Sequence, residues 1–204
     1  MSEPPTPRRP VWLAAMTSAM LIYAGMSLID ALSLLRRPHA ATAAAIEDVA
    51  RASGQIDAAR RLAAVGDAVV AAHAVAVRVE AVAAALVALL TLFAVAAIFS
   101  GDRRARRATV AAGWAGVLYQ VGALPFGVAM ARRAAEAGAP VLQQVLAQSG
   151  RNFHGLAEAD VTAALRGAVL MMPVLRAAMG IAWSLALLIF FGGRRGRAVF
   201  GQDR

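Results

Sequence analysis

Four stretches of the chain carry apolar and small residues with little polar interruption. They run from Val11 to Leu35, from about Val82 to Ser100, from Ala108 to Ala131 and from Ala168 to Phe191. Each reaches or approaches the ~20 residues that carry a helix across ~30 Å of hydrocarbon. Lipid offers no partner to a backbone N–H or C=O, and a helix satisfies both within its own segment. The pattern therefore predicts an all-α fold, an integral membrane four-helix bundle. The first run exceeds the ~7–15-residue core of a signal peptide and no convincing cleavage motif follows it, so it reads as a retained anchor.

Residues 36–81 and 132–167 join these spans, and both connections keep helical patterning. In the first, Ile46, Val49, Ile56, Ala63, Val70 and Val77 recur at helical spacing, with Leu62, Val65, Val69 and Ala76 on an adjoining stripe. Gly54 and Gly66 are places for a break or a hairpin. In the second, PVLQQVLAQSG (140–150) reads as a separate short helix after Pro140, and RNFHG (151–155) as a loop. The whole chain, 1–204, is thus one membrane domain with helical extensions on one side. Their apolar stripes pack on each other or dock a partner. At an offset of 96 residues, Arg36-Arg37 falls on Arg132-Arg133 and Tyr23 on Tyr119, a hint of two parallel repeats.

Composition agrees. The chain is 60% hydrophobic and 16% charged, with a mean hydropathy of +0.62. Soluble domains hold ~45–50% apolar residues even when Gly is counted. The charge of +9 rests on 21 Arg with no Lys, which suggests GC-rich bacterial coding. The arginines flank apolar runs instead of interleaving with aromatics, so they point to membrane topology and not to nucleic acid. The short GDRRARR link (101–107) outweighs the long connections in setting orientation, which puts both termini in the cytoplasm and the protein in a bacterial inner membrane. The absence of Cys excludes disulfides and thiolate metal sites.

Charged and amide side chains inside the spans are the candidate chemistry. Counting ~1.5 Å per residue from the cytoplasmic ends puts Asp30, Glu80 and Arg176 roughly 22–30 Å up their helices and Gln120 roughly 18 Å up. Asp30, Glu80, Gln120 and Arg176 form a candidate polar cluster for a ligand or for bundle structure. Arg176 either pairs with Asp30 or Glu80, or snorkels to the outer headgroups. Gly116, Ala123, Gly127 and Gly180 are candidate helix-packing positions, because small residues let backbones approach closely. Gln120 within that seam is expected to hydrogen-bond between helices. Pro125 and Pro173 are expected to kink their spans.

No Walker loop, dinucleotide fingerprint, HEXXH or nucleophile elbow is present. The three histidines, His39, His73 and His154, lack the close spacing of metal ligands, so no metal or other cofactor is expected. The first functional reading is a non-enzymatic accessory or assembly subunit. It would meet the bilayer and, through its connections, another membrane protein or itself, but no nucleic acid. The alternative is a small transporter or ligand-binding membrane protein whose polar site lies in the outer half of the bundle.

Overall fold

The computed structural model describes residues 10–36, 56–102, 104–148 and 158–200. Six helices follow in chain order: α1 (Val11–Arg36), α2 (Ile56–Ala72), α3 (Ala74–Ser100), α4 (Ala105–Gln148), α5 (Glu158–Gly192) and the short α6 (Arg194–Val199). Among them α1, α3, α4 and α5 are long and apolar enough to cross a membrane. At ~1.5 Å per residue, α4 and α5 reach roughly 66 and 52 Å, well beyond the hydrocarbon. The chain is an all-α, four-span membrane bundle with helical extensions.

The helices are apolar on nearly every side, which is the signature of elements immersed in lipid. Leu21, Ile22, Ile29, Leu86, Phe93, Leu118 and Ile189 all stand exposed on the bundle exterior. Water would not tolerate so continuous an apolar surface, whereas acyl chains match it.

The helices pack in a row, α1 on α3, α3 on α4 and α4 on α5, with α2 against the far part of α4. Contact between α4 and α5 is closest because small residues line it. A methyl group on Gly113 would come within 2.9 Å of Leu188, and one on Gly127 within 3.1 Å of Pro173. At Gly116 it would overlap Ser184, and at Gly180 the side chain of Gln120. Helices in lipid lack a hydrophobic drive to associate, so this close backbone approach supplies much of the attraction.

The core lies at the arginine-rich end of the bundle. Leu13 and Met20 from α1, Ala94, Val95 and Ile98 from α3, Ala105 from α4 and Leu187 and Phe191 from α5 are buried together. Trp12 stacks on Phe190 and meets Phe191 edge-on, both at 6.1 Å between ring centroids. Phe200, carried back by α6, adds a further ring 6.3 Å from Phe191.

Gly101, Asp102 and Arg106 shape the turn at the GDRRARR link. Gly101 ends α3 in the left-handed region at φ 71°, where a Cβ is strained, and the N–H groups of Gly101 and Asp102 return to Ile98 and Ala97. Asp102 Oδ1 then accepts the Arg104 N–H at 2.8 Å, opening α4. Arg106 donates to the carbonyls of Phe191 (3.0 Å) and Gly192 (3.1 Å). A cation thus satisfies the C-terminal carbonyls of α5 and complements the negative end of its dipole.

Two expectations need correction, and the helix that carries the second span starts ahead of it, at Ala74, directly after a turn at His73. Gly66 does not break the preceding helix, which runs through it. Residues 140–148 are not a separate helix, because α4 continues through both Pro125 and Pro140. Ala135, Gly138 and Ala139 are buried there, with Leu62 of α2 facing Gly138, so tertiary packing holds the helix across the missing Pro140 donor. The connection positions Ile46, Val49 and Gly54, the RNFHG segment, His39 and His154 lie outside the described residues.

The seam makes a contrast between two glycines of one helix. Gly116→Val should destabilise the bundle by ~1–3 kcal/mol through overpacking. Gly122→Val, with nothing within 4 Å of its added Cβ, should be neutral or mildly stabilising. Thermal unfolding in mild detergent reads both, and equal effects would refute the seam.

Candidate functional site

Away from the aromatic core, α1 and α5 diverge. Their backbones barely approach one another, and bulky side chains span the gap, as where Tyr23 and Trp183 meet at 5.6 Å between ring centroids. Between them opens a cleft of about 850 Å³ with walls from α1, α3, α4 and α5. That size lies within the ~300–1,000 Å³ of small-molecule sites.

Asp30, Glu80, Gln120 and Arg176 all line this cleft. Arg176 Nη1 lies 3.7 Å from Glu80 Oε1, and its Nη2 donates to the Tyr119 hydroxyl at 3.4 Å. The same hydroxyl donates to Glu80 Oε1 at 3.4 Å. Tyr119 therefore bridges cation and carboxylate, a member of the site that sequence reasoning did not assign. Its signal was the spacing: Tyr119 stands 96 residues after Tyr23, and Arg176 the same distance after Glu80.

The arrangement is open. The Arg176 side chain is 61% exposed and that of Glu80 21%. These contacts are long, so most of the five guanidinium donors stay available. Asp30 is exposed on the same cleft, and among the described residues it forms no ion pair or hydrogen bond. Arg176 thus faces Glu80 and not Asp30.

Deeper in the cleft the walls are alanines, leucines and methionines with a few polar groups. Thr91 directs its hydroxyl to the Val87 carbonyl at 2.8 Å. Gln120 is 7% exposed, yet it makes no hydrogen bond among the described residues, contrary to the expected interhelical bond. Its amide lies against α5 at Gly180, in the space that a Cβ there would occupy. The indole N–H of Trp183 is also buried without an acceptor among the described residues. Buried polar atoms are ordinarily matched, and this one on the α5 wall of the cleft is a feature to explain. Gly116, Gly127 and Gly180 lie in the α4–α5 contact described above, and Ala123 is half-buried between Gly116 and Gly127.

His73 lies outside the cleft, at the turn between α2 and α3. Its Nδ1 donates to the Val69 carbonyl at 2.9 Å, and its Nε2 accepts from Arg133. Both ring nitrogens are occupied within the chain, and no group of His, Cys, Asp and Glu suited to a metal occurs among the described residues. No family model, curated protein or solved structure matches the chain.

The geometry separates two pairings by their additivity. Arg176→Gln and Glu80→Gln should be non-additive by up to ~1 kcal/mol, the range of a solvent-reached pair. Arg176→Gln and Asp30→Asn should add simply. Unfolding midpoints of the single and double variants test this; coupling confined to Asp30 would overturn the assignment.

Proposed function

We propose that this integral membrane protein is a non-enzymatic ligand-binding protein that holds an amphipathic molecule in the cleft between α1 and α5. One observation carries the reading: all four spans contribute to a single cleft that is apolar inside and charged at its rim. A molecule with an apolar body and a charged end matches both parts, entering sideways from lipid where the two helices diverge. The Gln120 amide, which lines the cleft without a hydrogen bond among the described residues, adds support, since a bound molecule gives it a partner.

The accessory-subunit reading leaned on apolar stripes of the connections. In α2 that stripe meets α4: Ala63 is buried, Leu62 lies against Gly138, and Arg61 donates to Gln144 at 3.0 Å. This moves the weight from a docking surface to the cleft. The packed aromatic core at the arginine-rich end favours a binder over an open conduit.

The arginines of the 101–107 link favour an inner-membrane orientation with both termini cytoplasmic. A cysteine placed at Ser53 or Ser149 of this Cys-free chain should then react with an impermeant reagent only from the periplasmic side. Labelling from the cytoplasm would invert the topology.

Native mass spectrometry of mildly extracted protein tests the binding role. An amphiphile should travel with the wild type and be lost from Ala84→Trp, which fills the cleft wall. A stoichiometric protein partner with no small molecule retained would return the accessory-subunit reading.

A further inference from the structure

Resting on that reading, we infer that the cleft is selective for a membrane phospholipid with a phosphoethanolamine headgroup. Such a lipid would lie with its phosphate on Arg176 and its primary ammonium on Asp30.

The rim holds three charges, two negative and one positive. Glu80 is matched to Arg176 and Tyr119, while Asp30 has no partner among the described residues. Arg176 keeps spare donors on an exposed guanidinium, the group whose fork suits phosphate oxygens. A ligand matching this rim carries an anion for the guanidinium and a cation for the remaining carboxylate, close together. A purely anionic headgroup would satisfy Arg176 but set its charge beside Asp30 and Glu80. A purely cationic one would leave the Arg176 donors unused.

The cation should also be a hydrogen-bond donor. Two carboxylates accept N–H bonds, which a primary ammonium supplies and a quaternary one does not. Quaternary ammonium groups are recognised by free aromatic faces, and here Tyr23 and Trp183 turn toward each other at 5.6 Å. Below the charged groups, Met26, Val87 and Met179 give the apolar lining that an acyl chain requires, largely on flexible side chains that adapt to it. The divergence of α1 from α5 lets the remaining chain stay in the bilayer.

Delipidated full-length protein in detergent is titrated with phosphatidylethanolamine, phosphatidylcholine and phosphatidylglycerol of identical acyl chains, read by native mass spectrometry. The expected result is about a tenfold preference for phosphatidylethanolamine over both others, the scale of one charge-assisted hydrogen bond. Asp30→Asn should abolish the preference over phosphatidylglycerol, and Arg176→Gln should weaken all three lipids. Asp30→Asn removes no ion pair or hydrogen bond among the described residues, so its result stands even where the Arg176 variant is unstable. Equal or tighter binding of phosphatidylglycerol by the wild type overturns the headgroup assignment, as does a preference that survives Asp30→Asn. Equal affinity for glycerophosphoethanolamine, which lacks acyl chains, overturns the lipid as occupant. Ala84→Trp separates the two levels. If it weakens all lipids while the wild type shows no headgroup preference, the cleft reading stands and the headgroup inference falls. If it binds lipid as the wild type does, both fall.

Discussion

The close approach of α4 and α5 determines where the rest of the bundle can go. In lipid, two helices gain little by hiding apolar surface from each other, so they associate where small residues allow many short contacts. Gly113, Gly116, Gly127 and Gly180 supply them along one line. With α5 held on α4, and α3 packed on the other side of α4, α5 is committed to an edge of the row. Its second face then turns toward α1 across a gap that no small-residue contact closes. The cleft is a consequence of that commitment.

The same commitment explains why the polar residues gather where they do. Arg176 on α5 cannot retreat into the α4 contact, which glycines have made too tight for a long side chain. It lies instead at the cleft rim, within reach of Glu80 and Tyr119. Gln120 on α4 occupies the contact itself, pressed against Gly180. A small residue opposite a polar one gives close packing and withholds a hydrogen-bond partner at once. The expectation of an interhelical bond failed for this reason.

Much of the architecture was legible because the bilayer restricts the choices. Long apolar runs mean helices, and counting residues along each run gives depth, which was enough to place Glu80, Asp30 and Arg176 at similar heights. Depth does not give azimuth. A span that is apolar all round carries no stripe to say which side faces its neighbours, so the choice between Asp30 and Glu80 for Arg176 could not be made from composition. Pro140 misled for a different reason. Proline is a sound stop signal in an isolated helix, but α2 packs against this part of α4, and the helix continues past the missing hydrogen bond. Tyr119 was passed over because a tyrosine in a span reads first as packing.

The interval of 96 residues bears on why the cleft opens on one side. It relates Tyr23 to Tyr119 and Glu80 to Arg176, and α1 and α4 both start from the arginine-rich end, as α3 and α5 both finish there. The bundle is two helical hairpins side by side, running the same way. Two such hairpins can meet along two seams, α3 with α4 and α5 with α1. The first is packed, and the second is the cleft. Side-chain size separates them. α3 and α4, packed on each other, line the cleft largely with small residues, among them Ala81, Ala84, Ala88, Ala112 and Gly116. On the open side α1 brings Tyr23 and Met26, and α5 brings Met172, Met179 and Trp183. Large flexible residues hold the backbones apart and leave adaptable walls.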